Sequence, residues 1–168
     1  MTDLFQTICP DIDLLSKTIY EIQLIHRWIG MPVKVAFSGG KDSVVLLDVI
    51  KKSGIPYTAE YYITTVDPPE LVRFIRKNFP EVVRTLPRKS MWKLIIDNRM
   101  PPLRNAKYCC RQLKERRFNG LTLTGIRKEE SWKRANRSSL YIKSKFQAAF
   151  KPLFDWTEED IWNHIEKY

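Results

Sequence analysis

Short β-branched segments alternate with amphipathic helical segments along almost the whole chain. Such alternation favours a parallel sheet whose strands are connected and covered by helices. In the first helical segment, apolar residues recur in steps of three and four from Leu15 to Ile29. The predicted strands are residues 33–37, 57–64, 82–86 and 121–124, and the predicted helices are 11–28, 44–52, 69–78, 90–98, 108–118 and one from Thr157 onward.

Capping residues are expected where three of these helices begin. Asp11 or Asp13 can cap the first helix, and Ser90 can cap the helix over 90–98. Thr157 forms a capping-box pattern with Asp160 at the start of the last helix.

The carboxyl ends of the parallel strands are expected to meet at one edge of the sheet. Right-handed crossovers place them there, and ligands of such sheets bind at that edge. The loops after Phe37, Thr64, Leu86 and Thr124 are therefore where functional side chains are expected.

The sequence SGGKDS, residues 38–43, lies between a predicted strand and a predicted helix. Its glycines allow positive φ angles and close backbone approach, so that N–H groups and the positive end of the helix can cradle a phosphate. The GxxxxGK[ST] spacing of a Walker A loop is missing, and an ordinary glycine-rich turn with a serine N-cap is the alternative. The aspartate is either a ligand or an acid that favours a helix N-terminus. The candidate phosphate-binding residues are Ser38, Gly39, Gly40, Lys41, Asp42 and Ser43.

Charge is distributed unevenly over the 168 residues, which suffice for one domain and are too few for two ordinary ones. The formal net charge is +10, and residues 84–151 hold 19 basic and 4 acidic side chains. Nucleotide phosphates, sulfate groups or a nucleic-acid backbone would each suit this basic block. The chain lacks an apolar run of membrane-spanning length, a secretory signal and the cysteines of a disulfide scaffold. We therefore expect a cytoplasmic protein with a single domain over residues 1–168 and no membrane partner.

Five stretches together resemble one known family. SGGKDS is similar to the PP-loop of ATP-pyrophosphatase-type nucleotide α-hydrolases, and the whole chain resembles the phosphoadenosine phosphosulfate (PAPS) reductase family. Any one stretch is weak evidence, whereas five in this order are specific and span residues 33–166. The other four are TTVDPPE at 64–70, YCCRQLK at 108–114, TGIRKEES at 124–131 with Arg134 beyond it, and KPLFDWTEEDIW at 151–162.

The resemblance implies a Rossmann-like, three-layer α/β/α fold with a mostly parallel sheet that binds an adenine nucleotide. ATP, adenosine 5′-phosphosulfate (APS) and PAPS all present adenine, ribose and phosphate, so the sequence does not distinguish them. Gly125 ends a strand at the ligand edge, and Arg127 and Arg134 can give bidentate contacts to phosphate or sulfate. A surface charge is the alternative for Arg127, while Glu129 and Glu130 either orient these arginines or cap a helix.

Two residues of the loop after the second strand, Thr65 and Asp67, are also candidates for nucleotide binding. Asp67 either binds the ribose or a magnesium ion, or forms a turn with Pro68.

Cys109 and Cys110 match a pair that supplies two ligands of a [4Fe–4S] cluster in iron–sulfur APS reductases. Such a cluster needs four thiolates, and in those enzymes the other two come from a later CxxC. This chain has no CxxC, and Cys9 is its only other cysteine. The pair is therefore either part of a cluster completed by other residues or a pair of inert thiols.

The family's reductases attack the sulfate sulfur with a cysteine in a C-terminal ECG-x-H motif, which is absent from this sequence. The sequence ends inside an amphipathic helix, so we expect a truncated chain or a short homologue without the redox step. The expected function is nucleotide binding in the reduction of adenylylated sulfate, with a thioredoxin-like reductant and with reduction incomplete in this chain.

Two alternatives belong to other functional classes. One is an ATP-dependent adenylyl- or sulfur-transferase acting on a nucleic acid or a small molecule, in which the PP-loop and magnesium hold the pyrophosphate leaving group. The basic block 84–151 suits a nucleic-acid substrate. The other is a nucleotide-binding or nucleic-acid-binding protein without catalysis.

Overall fold

The computed structural model describes residues 13–103, 105–114 and 118–167. Its helices are α1 (Leu14–Ile29), α2 (Lys41–Ser53), α3 (Pro69–Asn78), α4 (Met91–Asn98), α5 (Trp132–Ala135) and α6 (Glu158–Lys167). Its strands are β1 (Val33–Ala36), β2 (Thr58–Tyr62), β3 (Val83–Thr85), β4 (Gly120–Leu123), β5 (Leu140–Ser144) and β6 (Gln147–Phe150). A π-helix covers Cys110–Lys114, and a 3₁₀ turn covers Lys128–Glu130.

The six strands form one sheet in the order β3-β2-β1-β4-β6-β5. Every pair is parallel except β5 with β6, so the predicted α/β architecture with a mostly parallel sheet is confirmed. Val35 of β1 is in register with Ala59 of β2 and with Leu123 of β4. The strand order reverses between β1 and β4, which is where sheets of this kind open a crevice for ligands.

The antiparallel hairpin of β5 and β6 was not among the predicted strands. Its turn contains Lys145 and Phe146 and lacks the Asn-Gly or Asp-Gly signal of a tight hairpin. Most of β5 is exposed, and an irregularity interrupts the register between Ile142 and Ser144. The hydrophobic run in β5, Leu140 to Ile142, is only three residues long, and no turn signal follows it in the sequence.

The apolar core fills one side of the sheet. Trp156 donates its indole N–H to Thr18 Oγ1 at 2.9 Å within it, which joins α1 to the segment before α6. In the described part of the chain, no helix combines the length and the apolar character needed to cross a bilayer. The core includes Ile22, Val35, Leu46, Leu47, Ile50, Ile75, Leu121, Leu123 and Ile161.

The predicted helix caps are confirmed where the structure describes them. Asp13 and Ser90 each accept a hydrogen bond from the backbone N–H three residues further on, at 3.1 and 3.2 Å, whereas Asp11 lies outside the described residues. At the start of α6, Thr157 and Asp160 exchange side-chain and backbone hydrogen bonds of 2.7 to 3.1 Å, as in a capping box.

Three predicted helices differ from the observed ones. The helix predicted over 11–28 begins at Leu14, after its cap Asp13, and ends at Ile29. The helix predicted over 44–52 begins at Lys41, because the last three residues of the SGGKDS loop form the first turn of α2. The helix predicted over 108–118 is a helical turn that continues as the π-helix, and residues 115–117 lie outside the description. A π-helix joins residues five apart, which suits Tyr108 and Leu113 because both belong to a small core with Leu94.

Candidate functional site

The SGGKDS loop joins the end of β1 to α2 and depends on one of its two glycines. Gly39 has φ +77°, in the left-handed region that favours glycine. A Cβ atom there would lie 2.7 Å from Leu71 Cδ1 and 2.9 Å from Ile75 Cδ1 on α3. Gly40 has φ −80°, and a Cβ there would make only an ordinary contact, so of these two glycines only Gly39 adopts the positive φ angle that glycine allows.

The serine hydroxyls of the loop hold its shape. Ser43 Oγ donates to the carbonyl of Gly40 at 2.8 Å and accepts from the backbone N–H and the hydroxyl of Ser38 at 3.2 and 3.1 Å. Within the described residues, the backbone N–H groups of Gly39, Lys41 and Asp42 donate to no protein group. These groups lie at the N-terminus of α2, where an anion is favoured by both hydrogen bonding and the helix dipole.

The ammonium group of Lys41 lies between two acids. Its Nζ is 3.4 Å from Glu158 Oε1 at the start of α6 and 3.8 Å from Asp42 Oδ2. All three side chains are at least partly exposed, so these ion pairs are weak and the lysine can exchange one of them for an anionic ligand.

Arg127 lies behind the loop and is only 3% exposed. Its Nε donates to Asp42 Oδ1 at 2.6 Å, and its Nη1 donates to Glu129 Oε2 at 2.9 Å. Glu129 also accepts from the backbone N–H of Glu158 at 2.8 Å. The guanidinium group therefore connects the first turn of α2 to the loop after β4 and to the start of α6. Direct contact of Arg127 with an anion stays a prediction, while its support of the loop is observed.

Gly125 lets the loop after β4 lie against α2. A Cβ atom at this position would be 2.9 Å from the carbonyl oxygen of Asp42 and 3.1 Å from its carbonyl carbon. Glu130 accepts the backbone N–H of Arg127 at 2.9 Å and pairs with Arg134. Each of the two acids in this loop thus binds an arginine side chain, and Glu130 also caps the 3₁₀ turn. The two roles that the sequence left open for these acids, orienting the arginines and capping a helix, therefore both occur.

The loop after β2 shows the turn chemistry considered for Asp67. The Oδ2 atom of Asp67 accepts a hydrogen bond from the backbone N–H of Thr64 at 2.6 Å. Thr65 adopts φ +68° and accepts the backbone N–H of Met91 through Oγ1 at 2.9 Å. Burial of Tyr61, together with the nearby Asp67 carboxylate, raises the pKa of Tyr61 to about 12, so this phenol stays protonated at neutral pH. A ribose or magnesium contact of Asp67 stays a prediction.

A cavity of about 930 Å³ opens beside the loop and runs along the polar face of the sheet. Ser38, Thr64 and Asp67 line it at the carboxyl edge. Its volume is within the range of pockets that take nucleotide-sized ligands. Alternate residues of the strands form its floor: Lys34 and Ala36, Glu60 and Tyr62, Thr122, Gln147 and Ala149.

Comparison with known proteins gives the family. A family model described as the phosphoadenosine phosphosulfate reductase domain matches residues 32–168. The chain belongs to this family. An adenosine 5′-phosphosulfate reductase of Staphylococcus haemolyticus is 27% identical over 180 residues, which cover 95% of this chain and 73% of the reductase.

One further sequence relative of this PAPS reductase domain is a longer protein, and one solved structure resembles its fold. An uncharacterized protein of Methanocaldococcus jannaschii is 28% identical over 162 residues, and the match spans 86% of this chain but only 33% of that protein. The crystal structure of Candida glabrata FMN adenylyltransferase with FMN and the ATP analogue AMPCPP has a TM-score of 0.55 at 13% identity, covering 90% of this chain and 56% of that one. At this identity the likeness concerns the fold alone.

The vicinal cysteines of this PAPS reductase domain lie at the start of the π-helix. Cys109 and Cys110 are both partly buried, and their Sγ atoms are 4.0 Å apart, so they are not bonded to each other. Among the described residues, no group of three or more histidine, cysteine, aspartate or glutamate side chains is placed to hold a metal ion. The described residues thus do not fit a four-thiolate cluster, and Cys9 lies outside them.

Sequence reasoning missed a polar network on the cavity floor. Lys34 Nζ donates to Tyr62 Oη at 3.0 Å and lies 3.6 Å from Glu60 Oε2. Glu60 also accepts the hydroxyls of Tyr62 and Thr85 at 2.5 and 2.8 Å. Its signal in the sequence is a lysine between two valines in the strand that leads into SGGKDS.

Proposed function

We propose that this domain binds an adenine nucleotide whose phosphate or phosphosulfate group lies at the SGGKDS loop, with adenylylated sulfate as the family's substrate class. The observation that carries the proposal is the loop itself. Gly39 bends the chain so that three backbone N–H groups lie at the start of α2, beside a cavity of nucleotide size, and have no acceptor among the described residues.

Lys41 supplies the cation of this site. An incoming anion competes with Glu158 for the ammonium group, and the exchange costs little because that ion pair is exposed to solvent. Arg127 and Gly125 keep the loop in place from behind, through Asp42.

Reduction of the bound sulfate needs further groups. A thiolate has to reach the sulfonate sulfur, and neither described cysteine is among the residues that line the cavity. We propose that this chain supplies the nucleotide site, and that a nucleophilic cysteine and a thioredoxin-like reductant come from elsewhere.

Nucleotide binding is tested by isothermal titration of the chain with ATP, APS, PAPS and adenosine 3′,5′-bisphosphate. We expect Lys41→Ala combined with Ser43→Ala to weaken binding by on the order of 2–4 kcal/mol, because the contact with the ammonium group is lost and the hydroxyl that holds the loop in shape is removed. Lys52→Ala, at the other end of α2, is the matched control. Unchanged nucleotide affinity in a folded double variant would refute the proposal.

A second candidate is an ATP-dependent adenylyl- or sulfur-transferase that acts on a nucleic acid. One observation favours it: residues 131–154 contain six basic residues and no acidic one. Burial and the charges of Arg137 and Arg134 lower the pKa of Lys151. Trp132 and Phe146 are exposed in the same segment, and exposed aromatic rings beside cations are typical of surfaces that bind single strands.

This candidate is tested by fluorescence anisotropy with a labelled single-stranded oligonucleotide over a series of salt concentrations. We expect binding that weakens steeply with salt, and a shallower salt dependence when Lys133→Ala and Arg137→Ala are combined. Lys77→Ala on α3, outside the basic block, is the control. An equal effect of the control, or no binding at low salt, would exclude the nucleic-acid substrate.

A further inference from the structure

The sheet has an open edge at β5. This strand is the last in the order β3-β2-β1-β4-β6-β5, and within the described part of the chain it pairs with β6 alone. We call its free side the β5 edge and define it by Leu140–Ser144. Tyr141 and Ile142 are 61% and 50% exposed, so the middle of the strand is accessible to a partner.

The hydrogen bonds between β5 and β6 determine which backbone groups face the open edge. Lys151 donates its backbone N–H to the carbonyl of Ser139 at 2.9 Å, in the register that pairs the two strands. Hydrogen-bonded and non-hydrogen-bonded pairs alternate along an antiparallel ladder. Tyr141 therefore directs its backbone groups toward β6, whereas Leu140 and Ile142 direct theirs away from it. The β5 edge thus presents two N–H and two C=O groups in the spacing that an added strand matches.

Side chains of opposite character alternate along the β5 edge. Tyr141 and Lys143 line the cavity, while Leu140 packs against the core on the opposite face. Ile142 shares the face of Leu140, because residues two apart in a strand point the same way. A strand added here would meet a lysine on one face and an isoleucine on the other. Acidic side chains alternating with apolar ones suit these two neighbours.

Charge determines which kind of strand fits this edge. Residues 131–154 contain six basic residues and no acidic one, and Lys143 and Lys145 directly follow Ile142. A second copy of this chain would bring the same lysines to the edge, and like charges on paired strands destabilise the pairing. An acidic strand would instead be attracted. A nucleic acid is also negatively charged, but its phosphates only accept hydrogen bonds and cannot satisfy the C=O groups of the edge.

We propose that the β5 edge binds an extended acidic segment of a partner protein as a seventh strand of the sheet. Backbone hydrogen bonds to Leu140 and Ile142 supply the affinity. Lys143 and the Ile142 side chain select a segment in which acidic and apolar residues alternate. This inference goes beyond the proposed function and does not depend on it, because no nucleotide takes part in the contact.

The probe for this surface is a short fluorescein-labelled peptide in which glutamate and valine alternate. Its binding to the full chain is measured by fluorescence anisotropy. Two control peptides are titrated in the same way: one has lysine in place of every glutamate, and the other has the same composition with all glutamates before all valines. We expect the alternating peptide to bind at least about tenfold more tightly than either control, because only it offers both the charge and the alternation.

Two pairs of protein variants separate the backbone contact from the charge. Ile142→Pro removes the outward N–H but leaves the bonds to β6, since proline is tolerated where an edge strand's N–H faces solvent, and Ile142→Ala is its control. Lys143→Glu reverses the charge on the edge, and Lys77→Glu on α3 changes the net charge equally outside it. We expect Ile142→Pro and Lys143→Glu each to weaken binding of the alternating peptide about tenfold, and each control to weaken it less than about threefold.

Hydrogen exchange of the wild type tests the same contact without any substitution. The backbone amides of Leu140 and Ile142 should exchange rapidly in the free protein and slowly with the alternating peptide bound. The amide of Tyr141, which faces β6, should be slow in both states. Melting curves of the variants report folding, and if Ile142→Pro does not fold, this exchange pattern decides the inference.

Three outcomes would overturn the inference. The first is equal binding of the alternating peptide and its same-composition control, or unchanged exchange at Leu140 and Ile142. The second is peptide binding that survives in folded Ile142→Pro and is displaced by a single-stranded oligonucleotide, which would make this a nucleic-acid surface. The third is a dimer of the free chain in sedimentation equilibrium that Ile142→Pro dissociates, which would assign the edge to a second copy. Failure of nucleotide titration would refute the proposed function alone.

Discussion

Replacement of Arg127 by alanine is expected to lower the free energy of unfolding by about 2–3 kcal/mol. The guanidinium is almost fully buried and makes charge-assisted hydrogen bonds of 2.6 and 2.9 Å to Asp42 and Glu129. Breaking a fully buried ion pair costs about 3–5 kcal/mol, whereas a surface pair contributes less than about 1 kcal/mol. The Asp42 side chain is 25% exposed and that of Glu129 is 54% exposed, so the expected loss lies between these limits. For a domain of this size it corresponds to a melting temperature lower by about 4–12 °C.

Urea unfolding and nucleotide titration of the same variants test this reasoning. Lys128→Ala is the neighbouring control, because its ammonium group pairs with Asp155 on the surface and its loss should cost less than about 0.5 kcal/mol. If Arg127 acts on the nucleotide through Asp42, the losses of affinity in Arg127→Ala and Asp42→Asn overlap in a double-mutant cycle. Additive losses would instead show that Arg127 contacts the ligand directly. Equal stability of Arg127→Ala and Lys128→Ala would refute the supporting role.

Three further outcomes are expected. Gly39→Ala should destabilise the fold by about 2 kcal/mol or more in urea unfolding, because it combines a left-handed φ with a Cβ clash against α3, and a similar loss in Gly40→Ala would contradict this. Burial opposes ionisation of Asp48, but hydrogen bonds from Lys52 and His164 lower its pKa below 3.8. Its contribution to stability is therefore present above that pH and lost as the pH falls through the lower pKa of the folded state, so acid unfolding of Asp48→Asn should depend less on pH. Residues 1–168 alone should release no sulfite from APS or PAPS with a dithiol present, and sustained release that is abolished by mutating the vicinal cysteines would overturn this.

The elements that sequence reasoning predicted well carry local signals. The helix over 69–78 was predicted with its observed bounds, because Pro69 stands in its first turn and apolar residues recur at helical spacing. Ser90 and Thr157 were identified as caps because a side-chain oxygen before a helix satisfies backbone N–H groups, whatever the tertiary structure. The loop between β1 and α2 was found for the same reason, since its glycines and serines act on neighbouring backbone atoms.

The parts that were missed depend on distant partners. β5 pairs only with β6 at the edge of the sheet, and most of its residues face solvent, so its sequence lacks the alternation of a half-buried strand. The contact of Arg127 with an anion stays a prediction, but its hydrogen bond to Asp42, which is 85 positions earlier in the chain, was not foreseen. The spacing of residues in a sequence does not predict which carboxylate a guanidinium group contacts in the folded protein.

Lys34 shows why the polar face of the sheet was overlooked. Strand alternation places residues 33 and 35 on one face and Lys34 on the other, and a lysine on the second face predicts solvent there. In the structure the chain crosses from β3 to β4 past β2 and β1. The Phe118 ring from that crossing lies against Lys34, and Arg111 lines the same cavity. The crossing turns an exposed face into the wall of a cavity. Burial there lowers the pKa of the Lys34 ammonium group, and Glu60 beside it partly offsets this effect. Because burial of this face results from topology and not from local pattern, its polar network can be recognised only after the strand order is known.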